Sequence, residues 1–129
     1  MSGQISRNLY DAIAMVESGA LSGMEYVTGD GGSAYGPYQI HKNYWIDASE
    51  KDPSLKADGK TWDNTKGPGS YEYSEKVMQA YMNRYATCSR LGHEPTDEDI
   101  ARIHSGGPDG YKRKATDDYW KKVEKHLRS

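Results

Sequence analysis

The sequence predicts an α+β domain, mostly helical, with one small β-hairpin after the first helix. Apolar residues recur at spacings of three and four in several stretches that end at glycines. After the first such stretch, short β-prone runs flank the cluster Gly29-Asp30-Gly31-Gly32. No internal repeat or linker-like break interrupts the 129 residues, which suit one domain, residues 1–129, with a single core.

The elements follow in order. Ile5 to Ser18 reads as an amphipathic helix, with Leu9, Ala12, Ile13 and Val16 on one face, Ser6 as its cap and Gly19 as its stop. Residues 24–35 form the hairpin around the Gly/Asp cluster, and Gly36-Pro37 ends it. His41 to Ala48 is a short helix carrying Tyr44 and Trp45, and Ser49 to Gly69 is a long polar surface loop. Ser70 caps a helix to about Arg90, whose apolar stripe is Val77, Met78, Tyr81, Met82, Tyr85 and Cys88. Cys88 on that stripe reads as a packed thiol rather than a nucleophile. Thr96 caps the next helix, with acids at 97–99 in its first turn, and Gly106-Gly107-Pro108 closes it. Thr116 caps the last helix, whose inner face is Tyr119, Trp120, Val123 and Leu127.

Composition narrows the function. The net charge of −2 argues against a general binder of nucleic acid. The charge is uneven, because residues 111–129 carry seven Lys/Arg against three acids. That suits a solvated helix face or attraction to an anionic cell-wall polymer. No apolar run is long enough to span a membrane, so none is expected as a partner. The start, Met1-Ser2-Gly3-Gln4, lacks the basic-then-apolar pattern of a secretory leader, as expected if the chain is made without one or begins after it. The 11 tyrosines and three tryptophans offer apolar faces with polar edges, which suit sugar rings as well as ordinary cores. The four histidines, His41, His93, His104 and His126, show no metal-ligand spacing, so no metal and no cofactor is expected.

Glu17 carries the most information. Leu9, Ile13 and Glu17 are four apart, and each step of four drifts only about 40° around a helix. Glu17 therefore points where the apolar stripe points, in the last helical turn. Burial and the negative end of the helix dipole both disfavour its charged form, as a general acid at neutral pH requires. The same position also suits a Glu turned to solvent or paired with Arg or Lys. Asp30, between glycines, is accessible and able to accept backbone N–H bonds, which favour an ionised carboxylate. One neutral and one charged carboxyl is the pattern of glycoside hydrolysis. An Asp in a Gly-rich turn is also ordinary turn chemistry.

Several segments together resemble the invertebrate-type lysozyme (destabilase) family. They are Val16-Glu17-Ser18-Gly19, Gly36-Pro37-Tyr38-Gln39-Ile40, Tyr44-Trp45-Ile46-Asp47, Tyr81-Met82-Asn83-Arg84-Tyr85-Ala86, the stretch from Ala101 to Pro108, and Tyr119-Trp120. The resemblance implies a lysozyme-like fold with a cleft between hairpin and helices. It implies Glu17 as the catalytic acid and Asp30 as nucleophile or charge stabiliser, with Tyr35, Tyr38, Gln39, Asn83 and His104 lining the substrate groove. The substrate it implies is peptidoglycan or a chitin-like oligosaccharide outside the cell or in the periplasm, and a lysozyme inhibitor protein is an implied partner. Animal members are cysteine-rich, whereas this chain has one cysteine and looks like a cysteine-poor relative. Some members are credited with isopeptidase activity from a Ser and a Lys. Ala34 and His41 stand at those positions, with Ser33 and Lys42 each one place outward, so the resemblance does not carry that activity over.

The expected activity is therefore cleavage of the β-1,4 bond between N-acetylmuramic acid and N-acetylglucosamine. The alternatives are a lytic transglycosylase using Glu17 alone and an inactive glycan-binding module. With Cys88 alone, no internal disulfide can form, and the fold must stand on packing. Thermal melting with and without a thiol reductant should therefore give the same midpoint. A large drop in reductant would contradict a packing-stabilised core.

Overall fold

A computed structural model describes residues 2–128, with the Arg128 side chain left out. Met1, which entered the reading of the leader, and Ser129 lie outside the described residues. Six helices and a small sheet follow the chain in the order α1 (Arg7–Glu17), β1 (Thr28–Gly29), β2 (Ala34–Tyr35), β3 (Ile40–His41), α2 (Lys42–Lys51), α3 (Ser70–Tyr85), α4 (Cys88–Leu91), α5 (Asp97–Gly106) and α6 (Asp117–Arg128). The fold is mostly helical with a small antiparallel sheet, as the sequence predicts. The strands lie in the order β1-β2-β3, with Thr28 opposite Tyr35 and Ala34 opposite His41.

Local chemistry explains the helix ends. The Ser6 hydroxyl accepts from the Leu9 N–H and starts α1. Thr96 and Asp99 exchange hydrogen bonds in a capping box that starts α5. Packing does the rest. Leu9 and Ile13 of α1, Ile40 of β3, Val77, Met78 and Met82 of α3, Ile100 and Ile103 of α5 and Val123 of α6 are fully buried. Each such side chain contributes about 1.5–3 kcal/mol on leaving water. Helix α6 packs on both α1 and α5, which brings the last element of the chain against the end of the first helix.

The structure departs from the sequence reading at five places. The sheet has a third strand, Ile40–His41, because two residues gave no detectable alternation. The polar stretch 49–69 is not an open loop. It holds two 3-10 segments, Pro53–Gly59 and Trp62–Thr65, anchored by buried Leu55 and Thr65. Helix α3 begins after Gly69 rather than being capped by Ser70, and stops at Tyr85. Cys88 consequently opens a separate short helix capped by Thr87 and is only partly buried, outside the core. Thr116 does not cap α6 with its side chain. Its hydroxyl donates to the carbonyls of Gly110 and Arg113 and accepts from Arg102 Nε, tying α5 to the approach of α6.

With no phenylalanine, the interior is built from tyrosines whose hydroxyls need partners. Tyr38, almost fully buried, donates to Glu75 Oε2 at 2.6 Å, and Tyr10 donates to the Glu75 carbonyl at 3.0 Å. Burial first, and the Glu75 charge second, push Tyr10 up to about 12. Burial and the hydrogen bond to Glu75 raise Tyr38 further, and burial raises Tyr81 and Tyr44. Below about pH 10 the unfolded chain holds these protons as well, so the tyrosines add no pH dependence there. As pH rises past 10, the unfolded chain releases protons that the folded chain keeps, so stability falls. An alkaline titration should show tyrosinate absorbance of the buried rings appearing together with loss of helical signal. Full ionisation of all 11 tyrosines near pH 10 with the helices intact would contradict this packing.

Candidate active site

Glu17 is the last residue of α1, and its side chain is 20% exposed. Neither alternative that the periodicity leaves open describes it, because it neither turns fully to solvent nor meets Arg or Lys. Its Oε2 accepts a 2.8 Å hydrogen bond from the Tyr119 hydroxyl of α6 and lies 3.4 Å from His104 Nε2 of α5. His104 is 2% exposed in its side chain. Its Nε2 also lies 3.1 Å from the Tyr38 carbonyl, and its Nδ1 lies 2.9 Å from the Tyr44 hydroxyl of α2. Tyr44 is held in turn by stacking on Tyr81, with centroids 3.8 Å apart. Burial first, and the Glu17 charge with its hydrogen bond second, raise Tyr119 well above the ordinary tyrosine value. Tyr119 therefore remains a hydrogen-bond donor throughout the neutral range.

Asp30 stands opposite in character. It begins a 3-10 turn at the tip of the β1-β2 hairpin, with a left-handed φ of 51°, and its side chain is 70% exposed. Oδ2 lies 3.0 Å from His41 Nε2, which β3 brings alongside. Gln39 has φ 55°, and its Nε2 donates to the Gly36 carbonyl at 2.8 Å. A Cβ on Gly29 would overlap Gln39 Oε1, and a Cβ on Gly36 (φ 75°) would overlap the Thr65 carbonyl. Glycine at 36 is what lets the hairpin close down on the 62–65 segment, because the backbone it meets there cannot move aside.

Glu17, Asp30, Gln39, His41, His104, Ser105 and Tyr119 line one cavity of about 220 Å³. Of the residues assigned to the groove from sequence, Gln39 and His104 are here. Tyr38 is not on the lining: its ring is in the core, its hydroxyl is on Glu75 and its carbonyl meets His104. Tyr35 stacks on Trp62 at 3.8 Å with the Lys66 ammonium over its ring, away from the cavity lining. Asn83 bonds to Ser2 and Gln79 near the amino terminus. The sequence reading does not assign His41, Ser105 or Tyr119 to the groove, although Tyr119 lies in a segment that carries the family resemblance. Ser105 adjoins His104 in sequence, and Tyr119 is a polar-tipped ring on an otherwise apolar face, so both signals were present. Among the described residues, no group of three or more His, Cys, Asp and Glu side chains is arranged to hold a metal ion.

The arrangement sets a hydrogen-bonded carboxyl, Glu17, and an exposed one, Asp30, on the lining of the same cavity. The proteins it is similar to include lysozymes. The chain is 33% identical to Lysozyme 1 of Crassostrea virginica over 124 residues, covering 95% of this chain and 60% of that protein. It thus spans about three fifths of that relative's length. It is 32% identical to the invertebrate-type lysozyme of Ruditapes philippinarum over 124 residues, covering 95% and 82% of the two chains. Its fold is similar to a chain in the crystal structure of Aeromonas hydrophila PliI in complex with Meretrix lusoria lysozyme. The TM-score is 0.72 at 31% identity, covering 97% of this chain and 93% of that one. The Destabilase profile matches residues 8–126, the whole span from α1 through α6 that builds the cavity, and the chain belongs to the Destabilase family.

Proposed function

We propose that the chain is a lysozyme that cleaves the β-1,4 bond between N-acetylmuramic acid and N-acetylglucosamine in peptidoglycan. Glu17 acts as the acid and Asp30 as nucleophile or charge stabiliser. The observation that carries this reading is that a half-buried, hydrogen-bonded carboxyl and an exposed one line the same cavity. In the first step the glycosidic C–O bond breaks, its electron pair goes to the departing oxygen, and that oxygen takes the Glu17 proton. Positive charge developing on the sugar meets the Asp30 carboxylate. Glu17, now a carboxylate, then takes a proton from the incoming water as the water oxygen bonds to the anomeric carbon and relieves Asp30 of the sugar's positive charge. Gln39 and Ser105 offer amide and hydroxyl groups to the sugar's polar edges.

The site of action in this reading is the bacterial cell wall, outside the cell or in the periplasm. Among the described residues no helix is long and apolar enough to cross a membrane. A proteinaceous lysozyme inhibitor is the partner we infer, supported by the PliI complex of the similar Meretrix lusoria lysozyme. Such an inhibitor would act by covering the cavity.

The exposed position of Asp30 makes a second reading specific, in which Glu17 works alone and a hydroxyl of the substrate attacks. Turbidity loss on bacterial cell walls, with mass spectrometry of the fragments, separates the two. Hydrolysis gives reducing ends that have gained water, and Asp30→Asn should slow lysis by about 100-fold or more, the scale of a lost catalytic carboxylate. Anhydro ends with an active Asp30→Asn would replace the hydrolytic reading. No fragments at all would leave a glycan-binding module.

A further inference from the structure

A cluster of rings and one ammonium stands on the side of the sheet turned from the cavity. Thr28, Tyr35 and Ile40 form one row across the strands, and Gly29, Ala34 and His41 form the next. Adjacent rows point to opposite faces of a sheet. His41 lines the Glu17 cavity, so the Tyr35 ring belongs to the other face. That ring is covered on both sides, by Trp62 stacked at 3.8 Å and by the Lys66 ammonium 3.8 Å from its centre. Among the described residues no acidic side chain pairs with Lys66, so its N–H donors are left for water or a ligand. Tyr26 is next to it, 74% exposed, with its ring 3.8 Å from the point where Gly67 would carry a Cβ. Two backbone hydrogen bonds lace these segments together. The Gly67 N–H donates to the Glu25 carbonyl and the Gly36 N–H to the Val27 carbonyl, both at 2.7 Å.

We propose that Tyr26 and Lys66 form a second glycan-binding surface, separate from the cavity, that takes a muramyl unit of the cell wall. The sugar ring lies on Tyr26, and a carboxylate of its lactyl arm, free or at the stem peptide that the arm bears, meets Lys66. This rests on the reading of the chain as a lysozyme. The chemistry selects the occupant. An exposed tyrosine ring offers its apolar face to the C–H face of a sugar and its hydroxyl to the sugar's rim. The Tyr35 ring holds the Lys66 ammonium in place, so less freedom is lost when an anion meets it. One cation suits one carboxylate and not a polyphosphate, which needs a run of cations. In peptidoglycan every second sugar bears such an arm, whereas chitin has none. The surface therefore holds the enzyme on insoluble wall while the cavity, on the other face, meets glycan at a raised local concentration.

Binding of the intact protein to insoluble peptidoglycan and to insoluble chitin tests this, alongside turnover of a short soluble chitin oligosaccharide. Lys66→Met keeps an apolar stem over the Tyr35 ring and removes the charge. It should weaken binding to peptidoglycan about 3–5-fold, the scale of one exposed ion pair, and leave chitin binding unchanged. Lys66→Arg should bind both polymers as the wild type does, and added salt should erase the Lys66→Met difference. Tyr26→Ala should weaken binding to both polymers. All three variants should turn over the soluble oligosaccharide at the wild-type rate, which also shows that they are folded. Lys66→Met protein that binds peptidoglycan as tightly as wild type, or loses chitin binding in the same proportion, overturns the proposal. So does a matching fall in soluble turnover, which marks a structural role. If the binding pattern is as expected but Glu17→Gln still cleaves the oligosaccharide, the lysozyme reading fails instead.

Discussion

A carboxyl that has lost most of its water must be given hydrogen bonds, and at Glu17 this constraint organises the domain. Oε2 is the point where α1, α5 and α6 meet, through Tyr119 from α6 and His104 from α5. The Tyr119 contact joins residues 102 apart in sequence. Pairing with Arg or Lys would have satisfied the charge but fixed it permanently as a carboxylate. Here the Tyr119 phenol donates to the oxygen instead, a bond that a carboxyl oxygen accepts with or without a proton on the group.

The other half of the cavity follows a different rule. Asp30 is exposed rather than buried among partners, and backbone geometry holds it in place. The absence of a Cβ at Gly36 brings the end of the hairpin against the Thr65 backbone, and Asp30 and Gln39 both take left-handed φ values beside it. His41 beside Asp30 adds an exposed pair that contributes little to stability. Its effect is on where the Asp30 side chain points.

Signals that depend on neighbours in sequence were legible. Ser6 and Thr96 were readable as caps because a cap bonds three residues ahead, and Glu17 was readable as inward-facing because helical periodicity is local. The hairpin was legible from the glycines at 29, 31 and 32. What was not legible depends on partners far along the chain. The Ile40–His41 strand exists only because β2 is there to pair with it, and Ser49–Gly69 looked like a loop because polar residues conceal the buried Leu55 and Thr65. Tyr38 and Asn83 sit beside sequence motifs typical of the site, yet their side chains are spent on Glu75, Ser2 and Gln79. Tyr119 read as a core residue, and only the packing of α6 on α1 turns its hydroxyl onto the carboxyl.

The central claim is that the carboxyl at the end of α1 is the acid and not a structural anchor. Glu17→Gln is the direct measurement, because the amide oxygen can still accept from Tyr119 while the transferable proton is gone. The account predicts a folded protein with a lytic rate on cell walls reduced by about 10²–10⁴-fold, the range of a lost general acid. A Glu17→Gln protein that lyses cell walls near the wild-type rate, or one that stays active but is markedly less stable, would contradict it.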